Sequence, residues 1–197
     1  MDDLYNAVGA LRGLRVYNFA TSTSRYVLGG RNGRWYSPRQ KARCHSGFIS
    51  GRTRGGPAPC DDLSHMCGIN MYNEVDELYT LYLHNDPNEL VVRGFGGFIG
   101  LTLGWGRCVQ HAAGYRVQQA LVVEACLLLP AFKPGIVHKT PAAWEQHVLA
   151  YSSRIRRQYS HVAGWKNVPM REFTTWHKMA AYMDNWLDQE QLEVVHG

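Results

Sequence analysis

Cysteine and histidine residues cluster in one short segment of this 197-residue chain, and their side chains are of the types that bind zinc. The set that best suits a tetrahedral site is Cys44, Cys60, His65 and Cys67, with His45 as a competing ligand. Thiolate and imidazole groups are preferred zinc ligands, and a site filled by four of them has no open position for a substrate. We therefore expect a structural Zn²⁺. The spacing differs from that of standard zinc fingers, and the alternative is ordinary buried cysteines beside a surface histidine.

Positive charge is concentrated in the first 60 residues and predicts contact with a polyanion. Residues 4–60 contain ten basic and no acidic side chains, although the net charge of the whole chain is only +5. Nine of the ten are arginines, whose planar guanidinium suits bidentate contact with phosphate or guanine. The alternatives are a solvated basic face or a site for an acidic protein. The residues that we predict to bind nucleic acid are Arg15, Arg25, Arg31, Arg34, Arg39, Lys41, Arg43, Arg52 and Arg54.

A third group of residues has the composition of a base-binding pocket. Two tryptophans with a histidine, a tyrosine and an arginine suit a flipped or single-stranded base, which stacks on aromatic rings and accepts hydrogen bonds. These residues are Trp35, Trp105, His111, Tyr115 and Arg116. The alternative, which we favour, is that Gly114 and Tyr115 form a hairpin turn and Trp105 packs in the core.

Several enzyme classes are not supported by the motifs. The glycine-rich stretch GFGGFIG (residues 94–100) lacks the Gly-Lys-Ser/Thr ending of a phosphate-binding loop. No His-x-Glu sequence occurs, as a zinc deaminase would require, and nothing marks one of the cysteines as an activated nucleophile. We therefore favour a non-enzymatic function, with a small nucleotide- or base-processing enzyme that uses His111 as an alternative.

Hydrophobic patterning divides the chain into a sheet-forming part and a helical part. Residues 11–36 alternate in polarity and predict two strands with Leu14, Val16 and Tyr17 toward the core and the arginines outward. Residues 37–60 have the composition of a loop. Residues 73–83 predict a helix, and the glycine-rich residues 90–129 predict further strands with bulges and with Cys108 and Cys126 in the core.

The last 60 residues predict two helices that form a hairpin. Thr140-Pro141 is a typical helix start, and apolar residues from Trp144 to Tyr159 then recur on one face. A second helix is expected from about Met170, and its apolar face would dock a protein partner. The residues that we predict to contact that partner are Phe173, Trp176, Met183 and Trp186.

Composition and chain length indicate an ordinary globular protein in a reducing compartment. The chain is 45% hydrophobic and 19% charged, which excludes a disordered chain. Five cysteines are too few for a disulfide scaffold, and we see neither a membrane-spanning segment nor a signal peptide. We expect a cytoplasmic protein with a β-rich basic domain at residues 1–134 and a helical hairpin at residues 135–197.

Two motifs resemble an uncharacterised family of actinobacterial and phage or prophage proteins. Residues 65–70 (HMCGIN) are similar to the family's Cys-x-Cys-Gly-Ile-Tyr, and residues 105–116 (WGRCVQHAAGYR) to its Trp-Gly-Arg-Val-Val-Glu-His-Glu-x-Gly-Tyr-Arg. Weaker similarity involves residues 13–17, Trp35 and residues 42–44. Where the family has a cysteine and an upstream histidine, this chain has His65 and Cys60. Both exchanges keep a side chain of a zinc-ligand type, which fits a metal site. Gln110 and Ala112, by contrast, stand where the family has acidic residues beside His111. The family implies a phage or bacterial setting but no established activity.

Together these observations predict an α+β fold. We expect a curled mixed or antiparallel sheet, or a partial β-barrel of PUA-like form, with a zinc-pinned loop and a C-terminal helical hairpin. The predicted function is that of a phage or mobile-element accessory factor that binds nucleic acid or a nucleoprotein partner, in recombination, replication control, defence or counter-defence. The alternative is an adaptor that docks on an integrase or host enzyme through the C-terminal helices.

Overall fold

A computed structural model of the protein describes residues 3–22, 25–30, 33–35, 37–42, 68–82, 97–129, 140–162 and 164–189. The strands, numbered in chain order, are β1 (Asp3–Ser22), β2 (Arg25–Gly30), β3 (Gly33–Trp35), β4 (Arg39–Lys41), β5 (Ile69–Tyr72), β6 (Gly97–His111), β7 (Gly114–Leu128) and β8 (Met170–Phe173). The helices are α1 (Val75–Tyr82), α2 (Pro141–His161) and α3 (Trp176–Leu187), with a short 3-10 helix at Trp165–Asn167.

Three long strands, β1, β6 and β7, form the framework of the sheet, as the apolar and glycine-rich segments predicted. β6 and β7 are joined by the two-residue turn Ala112–Ala113, after which Gly114 has φ +140°. A Cβ atom at Gly114 would lie 2.2 Å from the backbone oxygen of Met71, so glycine is required there on steric grounds as well. The turn that the sequence predicted near Gly114 is confirmed.

The described strands form one strongly curled sheet of mixed direction. Strands β1, β6, β7 and β5 pair in a ring, but the ring is uneven, because β1 and β5 meet only at the pair Leu14–Tyr72 whereas β1 and β6 pair along most of their lengths. β2 and β3 extend the sheet beyond β1. Within the described residues every pairing is antiparallel except that of β7 with β8. The α+β class and the curled sheet are thus confirmed.

The inner face of the sheet, defined by Leu11, Tyr17, Val117 and Val122, packs against the chain that follows β7. Tyr159 near the end of α2 and Trp165 in the 3-10 helix lie in this cluster, and Trp165 is fully buried. The α2 face predicted from Trp144 to Tyr159 is confirmed: Trp144, Tyr151, Ile155 and Tyr159 are buried. The predicted cap is also present, since the Thr140 hydroxyl accepts a hydrogen bond from the Ala143 amide.

The outer face of the sheet, defined by Leu14, Ile99 and Leu101, is covered in part by α1 and α3. Val75 and Leu78 from α1 and Met179 and Met183 from α3 are buried in this second cluster. Both faces of β1 and of the first half of β6 are therefore packed. Cys108 and Cys126, which the sequence placed in the core, are both fully buried.

The C-terminal part differs from the predicted helical hairpin. Residues 170–173 form β8 rather than the start of a helix, and the second helix begins only at Trp176. The physical reason is tertiary pairing: β8 lies parallel to β7, and a parallel pair needs a long crossover connection, which α2 supplies. Ala125 and Leu129 donate backbone hydrogen bonds to Pro169 and Phe173. The domain boundary at residue 134 stays a prediction.

Two polar clusters fix β8 in its place. Glu124 on β7 accepts hydrogen bonds from Arg171 on β8 at 2.8 Å and from the Tyr182 hydroxyl on α3 at 2.7 Å. Glu172 on β8 accepts another from Arg156 on α2 at 2.8 Å. Each arginine is about half exposed, so solvent screens both ion pairs and each contributes little to stability, but both join β8 to its neighbours.

A buried tyrosine and a buried cysteine, whose protons are harder to remove in the folded state, make the stability of the fold sensitive to high pH. Burial raises the pKa of the Tyr151 phenol to about 12, and burial together with the Glu124 charge raises the pKa of the Cys126 thiol to about 12. The unfolded chain loses these protons at its lower, ordinary pKa values, so unfolding releases protons and the free energy of unfolding falls as the pH rises from about 9 towards 12.

We therefore expect the urea midpoint of unfolding to decrease steadily between pH 9 and 11. Tyr151→Phe should make this decrease shallower, because phenylalanine has no proton to release. Urea titrations followed by circular dichroism at several pH values measure the slope. A slope that is the same in Tyr151→Phe and in the wild-type protein would contradict the assignment.

Candidate nucleic-acid interface

The register of the sheet places cationic, aromatic and amide side chains side by side on the part of the outer face beyond α3. Arg39 on β4 pairs with Leu121 on β7, which pairs with Leu103 on β6. In the next row Lys41 pairs with Gln119, and Gln119 pairs with Trp105. Directly opposed residues project from the same face of a sheet. We call this surface the open patch; its members are Arg39, Lys41, Leu103, Trp105, Gln119 and Leu121.

The open patch is accessible at its cationic edge. Arg39 and Lys41 are exposed, and Leu103, Trp105, Gln119 and Leu121 are partly exposed. Its strands are held firmly to β7, because Val122 and Ala42 donate backbone hydrogen bonds to Pro38 and Gln118 at 2.9 and 2.7 Å. The side chains of the patch are thus presented on a fixed backbone.

The central contact of the open patch joins Arg39 to Trp105. The guanidinium carbon of Arg39 lies 5.3 Å from the centroid of the Trp105 ring. The two residues belong to β4 and β6, which lie on either side of β7, and to neighbouring rows, so their Cα atoms are roughly 12 Å apart. Contact over that distance requires both side chains to extend toward each other above β7. They form a cation–π pair over the sheet surface.

An irregularity in β6 adds another cation beside Trp105. The pairing of β6 with β7 shifts between Trp105 and Cys108, where Gly106 has φ +81°. Such a bulge bends the strand and redirects the neighbouring side chains. Arg107 is exposed here, and its backbone amide donates to the Gln118 side chain at 3.4 Å. Arg107 thus lies between this bulge and Cys108, which faces the inner cluster, and is two residues from Trp105 along the chain.

The open patch ends where α3 ends. Arg12 on β1 pairs with Leu103, but its guanidinium lies 4.9 Å from the centroid of the Trp186 ring and donates to the Trp186 carbonyl at 3.3 Å. This contact near the carboxyl end of the helix also suits the helix dipole. Arg12 therefore belongs to the packing between α3 and β1, and it marks the edge of the accessible surface.

One predicted nucleic-acid residue, Arg15, lies on the opposite face. It is only 4% exposed, and one of its terminal nitrogens donates to the Asn70 carbonyl at 2.6 Å. Its charge also lies 5.8 Å from the Tyr17 ring, where it opposes the rise in the Tyr17 pKa that burial causes. The expectation that alternation turns Arg15 outward is wrong, because both faces of β1 are packed and odd-numbered residues there face the inner cluster.

The predicted base pocket is not assembled as one site. Trp105 and His111 lie six residues apart on β6, a separation of roughly 20 Å along a strand. Tyr115 packs against the inner cluster, and its neighbour Arg116 therefore projects from the other face. Only Trp105 of the described members lies in the open patch. For Trp35 the structure gives only its strand position, opposite Leu28.

The residues predicted to dock a partner pack mainly on the protein itself. Met183 is fully buried and Trp186 is 8% exposed, both in the cluster beneath α3. Phe173 and Trp176 are partly buried against the same cluster. The apolar face of α3 is therefore occupied by the outer face of the sheet.

The remaining predicted residues fall on parts of the chain for which side chains are not described. The zinc ligands Cys44, Cys60, His65 and Cys67, the competitor His45, and Arg31, Arg43, Arg52 and Arg54 lie outside the described residues. Arg25 and Arg34 have strand positions only, opposite Ser22 and Gly29. Among the described residues, no three histidine, cysteine or acidic side chains are grouped as metal ligands.

Three members of the open patch, Leu103, Gln119 and Leu121, and the adjacent Arg107 were missed from the sequence. The signal was the hairpin turn at Ala112–Ala113, which fixes the register of the two strands that flank it. Counting outward from that turn, with one bulge allowed, brings Trp105 opposite Gln119. β4 was missed because its three residues are too few to show a period, and the segment was interpreted as a loop.

Comparisons with known proteins give no relative on which to base a function. No protein-family model, no curated protein and no solved structure matches the chain. Within the described residues, none of the helices combines the length and apolar character needed to span a membrane.

Arg15 and Arg39 have the same predicted role in the sequence, but Arg15 is buried and Arg39 is exposed. Arg15→Ala should lower the free energy of unfolding by about 2 kcal/mol or more, because it removes a buried hydrogen bond and the packing of the side-chain stem. Arg39→Ala, on an exposed residue, should change it by less than about 1 kcal/mol. Urea unfolding of the two variants checks this. Equal destabilisation by the two would contradict their assignment to opposite faces.

Proposed function

We propose that the protein binds nucleic acid through the open patch. The observation that carries this proposal is the Arg39–Trp105 pair, an exposed guanidinium held over an indole on a fixed sheet surface, with Lys41 in the adjacent row. Cations supply affinity for phosphates, and aromatic and amide groups contact bases. The phage or mobile-element setting remains an expectation from the family resemblance.

The charge of the patch supports this proposal. The two rows of the patch contain two cations and no acidic residue, and Arg107 adds a third cation next to Trp105. Acidic side chains are present on α1 and near the end of α3, where burial, and then the charges of Asp188 and Asp76, raise the pKa of Asp184. The two rows of the patch therefore attract a polyanion.

A second explanation exists for Arg39 and Lys41, and it makes a different prediction. β4 ends the sheet in its pairing order, and charged residues on a short edge strand prevent pairing with another chain. If Arg39 and Lys41 only prevent strand pairing at this edge, their charges are sufficient, and neither Trp105 nor a bound phosphate is involved. This explanation predicts aggregation on charge removal and no change in binding.

We further propose that the cysteine–histidine segment holds a structural Zn²⁺ beside the open patch. β4 and β5 run in the same direction along the same edge of β7: Ala42 bonds to Gln118, and Ile69 pairs with Val117. The described residues on either side of residues 43–67 thus lie at adjacent positions along β7. A metal bound by Cys44, Cys60, His65 and Cys67 would stabilise a long excursion whose ends are already close together.

This excursion, residues 43–67, begins two residues after Lys41 and contains Arg43, Arg52 and Arg54. A segment held by zinc would bring these further cations near the open patch.

We also propose a more specific fold type. The uneven ring of strands and residues 43–67 would form a partial β-barrel of PUA-like form, a type of domain that binds RNA and bases.

Binding of a labelled 12-nucleotide single-stranded DNA should fall steeply with salt concentration. The double variant Arg39→Gln/Lys41→Gln should weaken binding roughly tenfold or more and reduce the slope of log affinity against log salt by about 1.4, because two phosphate contacts are lost. Fluorescence anisotropy at several salt concentrations measures both quantities.

The matched control is Arg157→Gln/Lys166→Gln, which removes the same charges from exposed positions beyond the inner face. This control should bind like the wild-type protein apart from a small general charge effect. If both double variants weaken binding equally, the attraction is a property of net charge and the open patch is not the interface. If wild-type protein shows no salt-sensitive binding, the proposed function is wrong.

The zinc proposal predicts about one equivalent of zinc in purified protein, measured by inductively coupled plasma mass spectrometry. Cys60→Ala/Cys67→Ala should reduce the zinc content to near zero, whereas Cys126→Ala, which alters a core thiol, should leave it unchanged in the protein that folds. Less than about half an equivalent in the wild-type protein would contradict the proposal.

A further inference from the structure

We propose that the open patch selects single-stranded nucleic acid and stacks one base on the Arg39–Trp105 pair. This inference rests on the proposed function, and it adds the form of the nucleic acid and the contact that discriminates it. The open patch offers a flat π-system as well as charge, and only an unpaired base has a face free to stack on it.

The geometry of the pair favours a base over a phosphate alone. Arg39 and Trp105 reach each other across β7, with the guanidinium 5.3 Å from the indole centroid. Their side chains therefore extend over Gln119 and Leu121, which separate the two strands. A planar base can stack on this platform, because guanidinium and indole both have extended planar faces.

The groups around the platform match the other parts of a nucleotide. Gln119 lies between Trp105 and Lys41 in one row, and its amide both donates and accepts hydrogen bonds at a base edge. Lys41, in the same row, and Arg107, two residues after Trp105 on β6, are exposed cations suited to the flanking phosphates. One stacked base with a phosphate at each end therefore fits the patch, with little dependence on base identity because every base has a π-face.

A duplex does not fit the same surface. In a duplex each base is stacked between its neighbours, and only groove edges and phosphates can be reached. Reading the major groove requires a protruding helix or ribbon, whereas the open patch is a sheet face bordered by Arg12 and the end of α3. A duplex would contact the cations only and leave Trp105 unused.

The test compares three labelled probes of equal length: a 12-nucleotide oligothymidylate, the same backbone without bases, and a 12-base-pair duplex. Wild-type protein should bind the oligothymidylate at least fivefold more tightly than the abasic strand at one salt concentration. Trp105→Ala should weaken oligothymidylate binding roughly 5- to 100-fold, as expected for the loss of one stacked base, and leave abasic binding unchanged. Trp105→Phe should retain part of the preference.

Tyr79→Ala is the matched control, because Tyr79 is an exposed aromatic on α1 outside the patch. It should not alter the preference for bases. Equal, salt-sensitive binding of the abasic strand and the oligothymidylate by wild-type protein would overturn the stacking inference and leave the proposed function standing. No salt-sensitive binding of any probe would overturn the proposed function itself. If Trp105→Ala does not fold, the probe comparison with wild-type protein and Trp105→Phe decides the question.

Discussion

The pairing of β6 with β7 determines which side chains form the open patch. Trp105 meets Gln119 only in the observed register, and a slip of β6 by one residue would turn Trp105 toward the inner cluster. β7 also pairs with β4, β5 and β8, so Lys41 and the ends of the excursion at residues 43–67 are positioned against the same strand. The turn at Ala112–Ala113 and the bulge at Gly106 set this register, and every feature of the proposed interface depends on it.

Packing on both faces of the sheet decides how the basic residues are used. α2 and the 3-10 helix cover the inner face, and α1 and α3 cover part of the outer face. Arg15 is consequently buried against Asn70, and Arg12 is held by Trp186, so neither charge is available to a ligand in the way that an exposed cation is. Beyond the end of α3, by contrast, Arg39, Lys41 and Arg107 are exposed. Net charge and sequence position alone overestimate the size of the basic surface.

Sequence reasoning succeeded where a pattern was long enough to show its period. The apolar face of α2, the helix α1, the long strands β6 and β7 and their turn, and the buried cysteines all follow from local patterns in the sequence. β4 and β8 could not be predicted, because three or four residues show no period and these strands exist only through pairing with β7. The orientation of Arg15 failed for a related reason: alternation separates core from solvent only in a strand with one packed face. Of the open patch, Arg39, Lys41 and Trp105 were singled out from the sequence, but their juxtaposition needed the register.

The most direct test of the central claim is a titration of isotopically labelled protein with the 12-nucleotide oligothymidylate, followed by proton–nitrogen NMR. The indole signal of Trp105 and the amides of Arg39, Lys41 and Gln119 should show the largest shifts, while the indole of the fully buried Trp165 should not move. Shifts confined to α1, α3 or the inner face, with the open patch unchanged, would contradict the account.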